Sequence, residues 1–432
     1  MFSKLLIANR GEVAIRIIRA CKEMGIATVA VYSTADRDSL HVALADQSVC
    51  IGKPEPANSY LNASRMISAA LVTHAQAIHP GYGFLSESEA FAALCRKNGL
   101  AFIGPSEKTI ALMGDKSEAR RFMKQVGVPV IPGTEILKDV REAVEAAEEI
   151  GYPVLIKARS GGGGRGIRLV RTPEEMEPAF LTASQEAIGA FGDGAVYLEK
   201  CISPARHIEV QILADEEHHV VCLGERECSI QKNHQKLIEE SPSPAVDESL
   251  RVKLMDSAAK AAKAAGYVGA GTIELLLDEE KNFFFMEMNV RLQVEHAVTE
   301  LITGLDLVKW QIRIAAGVPL DFKQEDVIIK GSSIECRINA SGAGTVKLLH
   351  VPGGPWVRFD SALWTGYSVP PYYDALLGKL VVFAGTREEA RRKMQAALCE
   401  LVIDGVANNI DEQLSILADS DFCRGSYNTS FL

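Results

Sequence analysis

The sequence predicts an α/β protein, and three observations carry that expectation. Apolar runs at 4–8 and 27–32 enclose a segment whose apolar residues recur at helical spacing. Helix-start signals recur further along the chain, separated by short apolar runs of strand length. A glycine-rich stretch lies between two such runs, as in a hairpin. At roughly 150 residues per domain, the 432 residues suggest about three domains.

The first element is a strand at 4–8. Val13, Ala14, Ile17, Ile18 and Cys21 then repeat at i, i+4, and Gly25 ends the helix. A strand at 27–32 closes a βαβ unit of the doubly wound kind. The turn Asn9-Arg10-Gly11-Glu12 has one glycine where a dinucleotide fingerprint needs three, which argues against a nicotinamide cofactor. Asp139 with Glu142, Thr172 with Pro173 and Glu175, and Thr386 with Glu389 have capping spacing and predict three further helix starts. In the last hundred residues Gly353-Gly354-Pro355 and Pro370-Pro371 punctuate short apolar runs such as 380–383, ahead of helices near 387–401. That pattern predicts a separate, strand-rich C-terminal domain.

Composition narrows the function. A 47% hydrophobic share builds real cores and excludes disordered and fibrous classes. Lys and Arg total 46 against 56 Asp and Glu, a formal charge of −10, the opposite of a nucleic-acid binder's footprint. Nine cysteines without a C-x-x-C pair argue for a reducing compartment and against zinc. Lys4, Arg10, Arg16 and Arg19 interrupt any signal sequence, and no uncharged apolar stretch reaches membrane-spanning length. The expectation is a soluble, cytoplasmic protein with no nucleic-acid or membrane partner.

Residues 160–166, Ser-Gly-Gly-Gly-Gly-Arg-Gly, sit between apolar runs at 154–158 and 167–170. A P-loop would lead into a helix and end in Lys-Ser or Lys-Thr. Here the glycines form a hairpin tip whose amides can close over phosphates, with Lys157 and Arg165 supplying charge. Runs at 273–277 and 282–288 flank Asp278-Glu279-Glu280 and read as a second hairpin. Period two places Phe285, Glu287 and Asn289 on one face, with Glu274 able to join them from the partner strand. Two carboxylates and a carboxamide suit Mg²⁺ or Mn²⁺ shared with nucleotide phosphates. Arg291, Gln293 and Glu295 follow, interleaved with Val290, Leu292 and Val294; such a set can hold a small oxyanion and remove its proton. Gln231, His234 and Lys236 cluster after the run at 220–223, and neither His234 nor His207 has metal-ligand spacing.

These motifs resemble the biotin carboxylase family of the ATP-grasp superfamily from end to end. The segments are IANRGEVAIRIIRA near the N-terminus, HPGYGFLSE from His79, MGDK ending at Lys116, SGGGGRG from Ser160, EMNVRLQVEH from Glu287, ECRINA from Glu335 and VPPYYD from Val369. The resemblance implies phosphorylation of bicarbonate by ATP to carboxyphosphate, and transfer of the carboxyl group to N1′ of biotin on a separate carrier protein. It assigns Lys116, Lys157, Gly163, Gly164, Glu199, Lys200, Ile202, His207, Gln231 and His234 to ATP, with Glu274, Glu287 and Asn289 holding divalent ions beside it. It assigns Lys236, Arg291, Gln293 and Val294 to bicarbonate, Glu295 to the general base and Arg337 to the enolate of biotin. The implied architecture is a Rossmann-like domain at 1–114, an ATP-grasp domain at 115–325 with a lid at 132–203, and a C-terminal domain at 326–432. It implies a homodimer working with a biotin carboxyl carrier protein and carboxyltransferase subunits, the first half of an acetyl-CoA carboxylase that makes malonyl-CoA for fatty acid synthesis.

Two departures from the family pattern stand out. The segment between Ala340 and Gly353 is several residues short, and Ala297 replaces a common proline. No biotin-attachment Met-Lys-Met occurs in the chain, so the final acceptor is expected to be chosen by another subunit; propionyl-CoA, methylcrotonyl-CoA and pyruvate carboxylases are the alternatives. The rival classes are another ATP-grasp ligase, which would ignore biotin, and a nucleotide-binding regulator without turnover.

Overall fold

The strand, helix and turn signals of the first hundred residues build a parallel sheet. In the computed structural model, which describes residues 1–159, 166–233 and 235–432, its strands are β1 (Lys4–Ile7), β2 (Ala27–Ser33), β3 (Gln47–Gly52), β4 (Ala77–His79) and β5 (Ala101–Phe102). Their order is β3-β2-β1-β4-β5. Central β1 is buried on both faces: Leu5 and Ile7 join Val13 and Ile17 of the helix Gly11–Glu23, while Leu6 joins Met66 and Ile67 on the other side. Gly25, at φ +70°, ends that helix, and the Ile26 amide returns to the Cys21 carbonyl at 2.8 Å.

A small antiparallel sheet, ordered β7-β6-β8, follows: β6 (Val154–Ala158), β7 (Ile167–Val170) and β8 (Val196–Lys200). The register Val154↔Val170 to Lys157↔Ile167 makes β6 and β7 the arms of the expected glycine-rich hairpin. Its tip, with Gly163 and Gly164, lies outside the described residues, as does His234. Gly166 sits at φ +72°, where a Cβ would come within 2.9 Å of Ala158 Cβ, so the hairpin closes on a residue that must be glycine. Helices Val140–Ile150 and Met176–Phe191 pack on this sheet through Ala143, Ala147, Met176 and Ala183.

The remaining strands are β9 (Arg206–Ala214), β10 (Val220–Lys232), β11 (Gln235–Ser241), β12 (Gly269–Leu277), β13 (Phe283–Asn289), β14 (Ser332–Asn339), β15 (Leu348–His350), β16 (Val357–Ser361), β17 (Leu376–Ala384) and β18 (Val402–Asp404). Eight form one antiparallel sheet ordered β13-β12-β9-β10-β11-β14-β17-β16, and β15 pairs with β18. The C-terminal strands therefore extend the central sheet rather than standing apart: β11 pairs with β14 across the expected boundary, Ile238 facing Cys336 and Glu239 facing Glu335. A cluster including Ile334, Ile338, Leu380, Met394, Leu417 and Phe422 still gives this region a core of its own. The short segment after Ala340 is stitched down by backbone bonds from Ser341 to Ala407 and from Val346 to Tyr367, both 2.8 Å. No helix among the described residues is long and apolar enough to cross a membrane.

Two local expectations, the helix start at Thr172 and the face of Phe285, are corrected, and two segments take a form that the sequence left open. Thr172 makes no side-chain cap; it precedes a 3₁₀ turn at Pro173–Glu175, and the helix starts at Met176 because Glu175 reaches back to the Arg171 amide at 2.7 Å instead. The run at 220–223 continues as β10 through Glu225, Arg226 and Glu227, whose charges are buried because each has an ionic partner. A register shift between Glu274 and Leu275 moves Phe285 off the face of Glu287 and Asn289: it pairs with Leu275 and joins the core with Ile273 and Met288. Finally, β13 ends at Asn289, and the alternating residues 290–295 form an irregular segment that leads into the helix His296–Thr303. Ala297 lies in that helix's first turn, where the amide has no intrahelical partner and either Pro or Ala fits.

Candidate active site

One face of the eight-stranded sheet gathers the polar residues. Thr272 pairs with Asn289 and Glu274 with Glu287 across β12 and β13, while Glu209 and Gln211 of β9 face Glu274 and Thr272 from the other side. Gln231 of β10 pairs with Lys236 of β11. Residues 290–295 pass over this face, so Gln293 and Glu295 are buried on it.

Lys236 is the hub. Its ammonium donates to Glu209 at 2.7 Å, Glu274 at 2.9 Å and Glu295 at 2.7 Å. Glu295 is clamped from its other oxygen by Arg337 Nη2 at 3.0 Å, and Arg337 Nε donates to Glu239 at 2.6 Å. Glu274 Oε1 also accepts from Asn289 at 2.9 Å and Gln293 at 2.8 Å, and its Oε2 lies 3.2 Å from His207 Nε2. Gln231 meets His207 Nδ1 at 2.8 Å. Arg291 donates to Asn289 at 2.8 Å and to Glu87 at 3.0 Å. Lys116, the first residue of the helix Lys116–Gln125, reaches Glu287 at 3.2 Å. Except for Lys116 with Glu287, which stands at the rim opposite Glu274, these residues form one continuous bonded network.

The residues expected in the lid stand apart from it. Lys157 of β6 pairs with Glu199 of β8. The Lys200 ammonium is committed to the carbonyls of Gly151 and Tyr152, at 2.8 and 3.0 Å, and its amide to Pro132. Ile202 lies half-buried in the connection between β8 and β9. The segment 129–134 ties the three-stranded sheet to the eight-stranded one: Phe285 donates to the Pro129 carbonyl at 2.7 Å and Leu198 to Thr134 Oγ1 at 3.0 Å.

Burial opposes every charge here, and at Glu295, Glu274 and Lys236 the partners overcome it. Burial alone would raise Glu295, but Lys236, Arg337 and Arg226 hold it well below the usual carboxylate range. Glu274 is lowered in the same way, Lys236 and His207 overcoming its desolvation. Burial would lower Lys236, yet Glu209, Glu274 and Glu295 keep it firmly protonated. Desolvation dominates at Glu239, which is pushed up to about 7 although Arg337 pulls the other way.

The opposed carboxylates of Glu274 and Glu287 with the Asn289 amide are hard oxygen donors, and ligand atoms of His207, Glu209 and Glu274 lie within 4.8 Å of one another. The donor set fits Mg²⁺ or Mn²⁺.

Several residues that build the site carried no expectation. Arg226, fully buried, donates to Glu209, to Gln211 and Gln293 at 2.6 Å each, and to Thr299 and Thr272 at 3.0 Å each. Glu87 comes from the N-terminal domain, Glu239 sits behind Arg337, and Lys379 donates to the Val294 carbonyl. The signal for Arg226 was the triplet Glu225-Arg226-Glu227 between apolar residues, where a buried charge implies a partner.

Comparison with known proteins gives the same outline. The family model for the biotin carboxylase N-terminal domain matches residues 1–110, the carbamoyl-phosphate synthase L chain ATP-binding domain 115–323, and the biotin carboxylase C-terminal domain 335–432. Biotin carboxylase 1 of Bacillus subtilis is 52% identical over 442 residues, covering 100% of this chain and 98% of the relative. The crystal structure of a biotin carboxylase complex with β,γ-ATP from Campylobacter jejuni superposes with a TM-score of 0.97 at 47% identity, over 100% of this chain and 98% of that one. The biotin carboxylase domain dimer of Hydrogenobacter thermophilus 2-oxoglutarate carboxylase, solved with MgADP, ADP and bicarbonate, gives 0.96 at 50% identity, over 100% and 97%.

Proposed function

The chain belongs to the biotin carboxylase family, and from that premise we propose that it uses ATP and bicarbonate to carboxylate biotin on a separate carrier protein. The observation that carries the reading is the double clamp on Glu295, between Lys236 and Arg337, beside an opposed carboxylate pair.

Bicarbonate is an oxyanion, and Arg291, Gln293 and Lys236, with the backbone of Val294, are the groups assigned to hold it. Glu295 accepts its proton at a carboxylate oxygen. As long as Lys236 and Arg337 both hold that carboxylate it is a weak base; an arriving anion that draws their hydrogen bonds raises its basicity when the proton must move. Lys116, Lys157 and the glycine-rich tip with Gly163 and Gly164 hold the phosphates of ATP, with Glu199, Lys200, Ile202, His207, Gln231 and His234 around the nucleotide. Glu274, Glu287 and Asn289 hold Mg²⁺ or Mn²⁺, which when bound neutralises phosphate charge. The deprotonated bicarbonate oxygen attacks the γ-phosphorus of ATP and ADP leaves. The carboxyphosphate so formed passes its carboxyl group to N1′ of biotin, phosphate is released and takes the N1′ proton, and the developing enolate oxygen of biotin takes hydrogen bonds from Arg337.

The protein works as a cytoplasmic homodimer with a biotin carboxyl carrier protein and carboxyltransferase subunits. Acetyl-CoA carboxylase is the favoured context. Co-purification with a biotinylated carrier, and the acyl-CoA or keto acid that the assembled complex carboxylates, would identify it. The activity itself is tested by bicarbonate-dependent ATP hydrolysis with free biotin. A different ATP-grasp ligase would be indifferent to biotin, and a regulator without catalysis would show no turnover.

A further inference from the structure

Behind Arg337 two buried carboxyl groups lie side by side. Glu239 of β11 and Glu335 of β14 are direct register partners in antiparallel strands, so both side chains leave the sheet on one face, with Cβ atoms about 4.5–5.5 Å apart. Both are fully buried. Glu239 Oε1 accepts from Arg337, but Glu239 Oε2 and both oxygens of Glu335 have no hydrogen-bond partner among the described residues. Three unpaired acceptors on adjacent buried side chains are costly, and two ionised carboxylates at that spacing more so.

The cations around them are already committed. Arg337 is divided between Glu239 and Glu295. Lys379 of β17, the register partner of Arg337, donates to the Val294 carbonyl and lies 3.6 Å from Glu12 and 4.0 Å from Asp360. Lys236 serves Glu209, Glu274 and Glu295. On the helix His296–Thr303, Glu300 takes Arg16 and Arg358, and the buried His296 imidazole is held neutral by desolvation and nearby cations. The Cys228 thiol of β10 is kept protonated by burial. The opposite face of β14 meets the helix Arg387–Glu400 through Ile334, Cys336, Ala390 and Met394. A proton is the remaining way to turn one of the unpaired acceptors into a donor.

We infer that Glu239 and Glu335 share one proton and together form a positioning pair for Arg337, so that Glu239 presents the guanidinium with one negative charge and Nη2, which bridges Glu239 at 2.5 Å and Glu295 at 3.0 Å, is not drawn wholly to the pair. Burial raises both groups, Glu239 to about 7 and Glu335 well above the usual carboxylate range, in agreement with the geometry. When pH rises far enough to remove the shared proton, the second anion draws Arg337 away from Glu295, and carboxylation falls on the alkaline side.

This inference rests on the proposed biotin carboxylation, and the test separates the two. Difference infrared spectra of wild type should show a buried carboxylic-acid C=O band that Glu335→Gln removes. Gln replaces the protonated acid with an amide donor, so Glu335→Gln should lose the alkaline decline in carboxybiotin formation and keep its ATP KM. Glu335→Leu, checked for folding by its thermal melt, supplies no donor. It should lower carboxybiotin formation by about a hundredfold, as a misplaced catalytic group does, with a smaller loss of bicarbonate-dependent phosphate release. A wild-type spectrum without the band, or Gln and Leu variants equally impaired, would overturn the pair. Wild type lacking biotin-dependent turnover would instead overturn the function, with the infrared band still deciding whether the proton is there.

Discussion

Replacing Glu295 by Gln removes the proposed base while keeping the volume of the side chain. The carboxylate accepts from Lys236 at 2.7 Å and Arg337 at 3.0 Å, and an amide can satisfy only one of these donors. Neither cation is orphaned: Lys236 retains Glu209 and Glu274, and Arg337 retains Glu239. The loss of about 3–5 kcal/mol expected when a buried charge is left alone therefore does not apply. One lost hydrogen bond to a charged group, about 1.5–3 kcal/mol, is the expected change in unfolding free energy. The rate effect should be larger. A positioned base contributes about 10² to 10⁴, or about 2.7–5.4 kcal/mol of barrier at 1.36 per tenfold. The assay is bicarbonate-dependent phosphate release at saturating ATP and biotin, with ATP affinity and denaturant unfolding measured in parallel. The sign of the pH dependence also follows. Glu295 is held below its ordinary range, so it is ionised at neutral pH and stays so as pH falls toward the ordinary carboxylate range; its contribution to stability is lost only below that range. An acidic decline in wild-type kcat/KM for bicarbonate between about pH 8 and 6, which reports the free enzyme, must then come from another group. A Gln variant that turns over within about threefold of wild type would refute the assignment of Glu295 as base.

Arg337→Ala should cut carboxybiotin formation by about 10² to 10³ yet leave measurable bicarbonate-dependent ATP cleavage; equal losses in both, measured in one sample, would assign Arg337 to the shared first step. Arg226→Met removes the buried cation that holds Glu209, Gln211 and Gln293. Denaturant unfolding should show a loss of about 3 kcal/mol, the low end for a broken buried pair, because Glu209 keeps Lys236. Exchanging Gly163 and Gly164 together for valine should raise the KM for ATP by blocking backbone approach to phosphate, and an unchanged ATP dependence would return the tip to a plain turn.

Local signals in the sequence were enough for the βαβ start, for both hairpins and for the placing of Glu274 opposite Glu287, because alternation, caps and glycine placement act over a few residues. Thr386 shows the reach of such signals: its hydroxyl and the Glu389 carboxylate form the reciprocal capping box that their spacing predicts. A bulge is invisible at that range, and one extra residue in β13 turned Phe285 into the core while leaving Glu287 opposite Glu274. The continuity of the sheet from β11 into β14, and the buried partners Arg226 and Glu239, depended on contacts across wide stretches of chain: Arg226 bonds Gln293, and Glu239 bonds Arg337. Hydropathy reads such charged residues as solvated. Only the tertiary structure supplies the opposite charges that make their burial affordable, and with them the clamp that sets the protonation of Glu295.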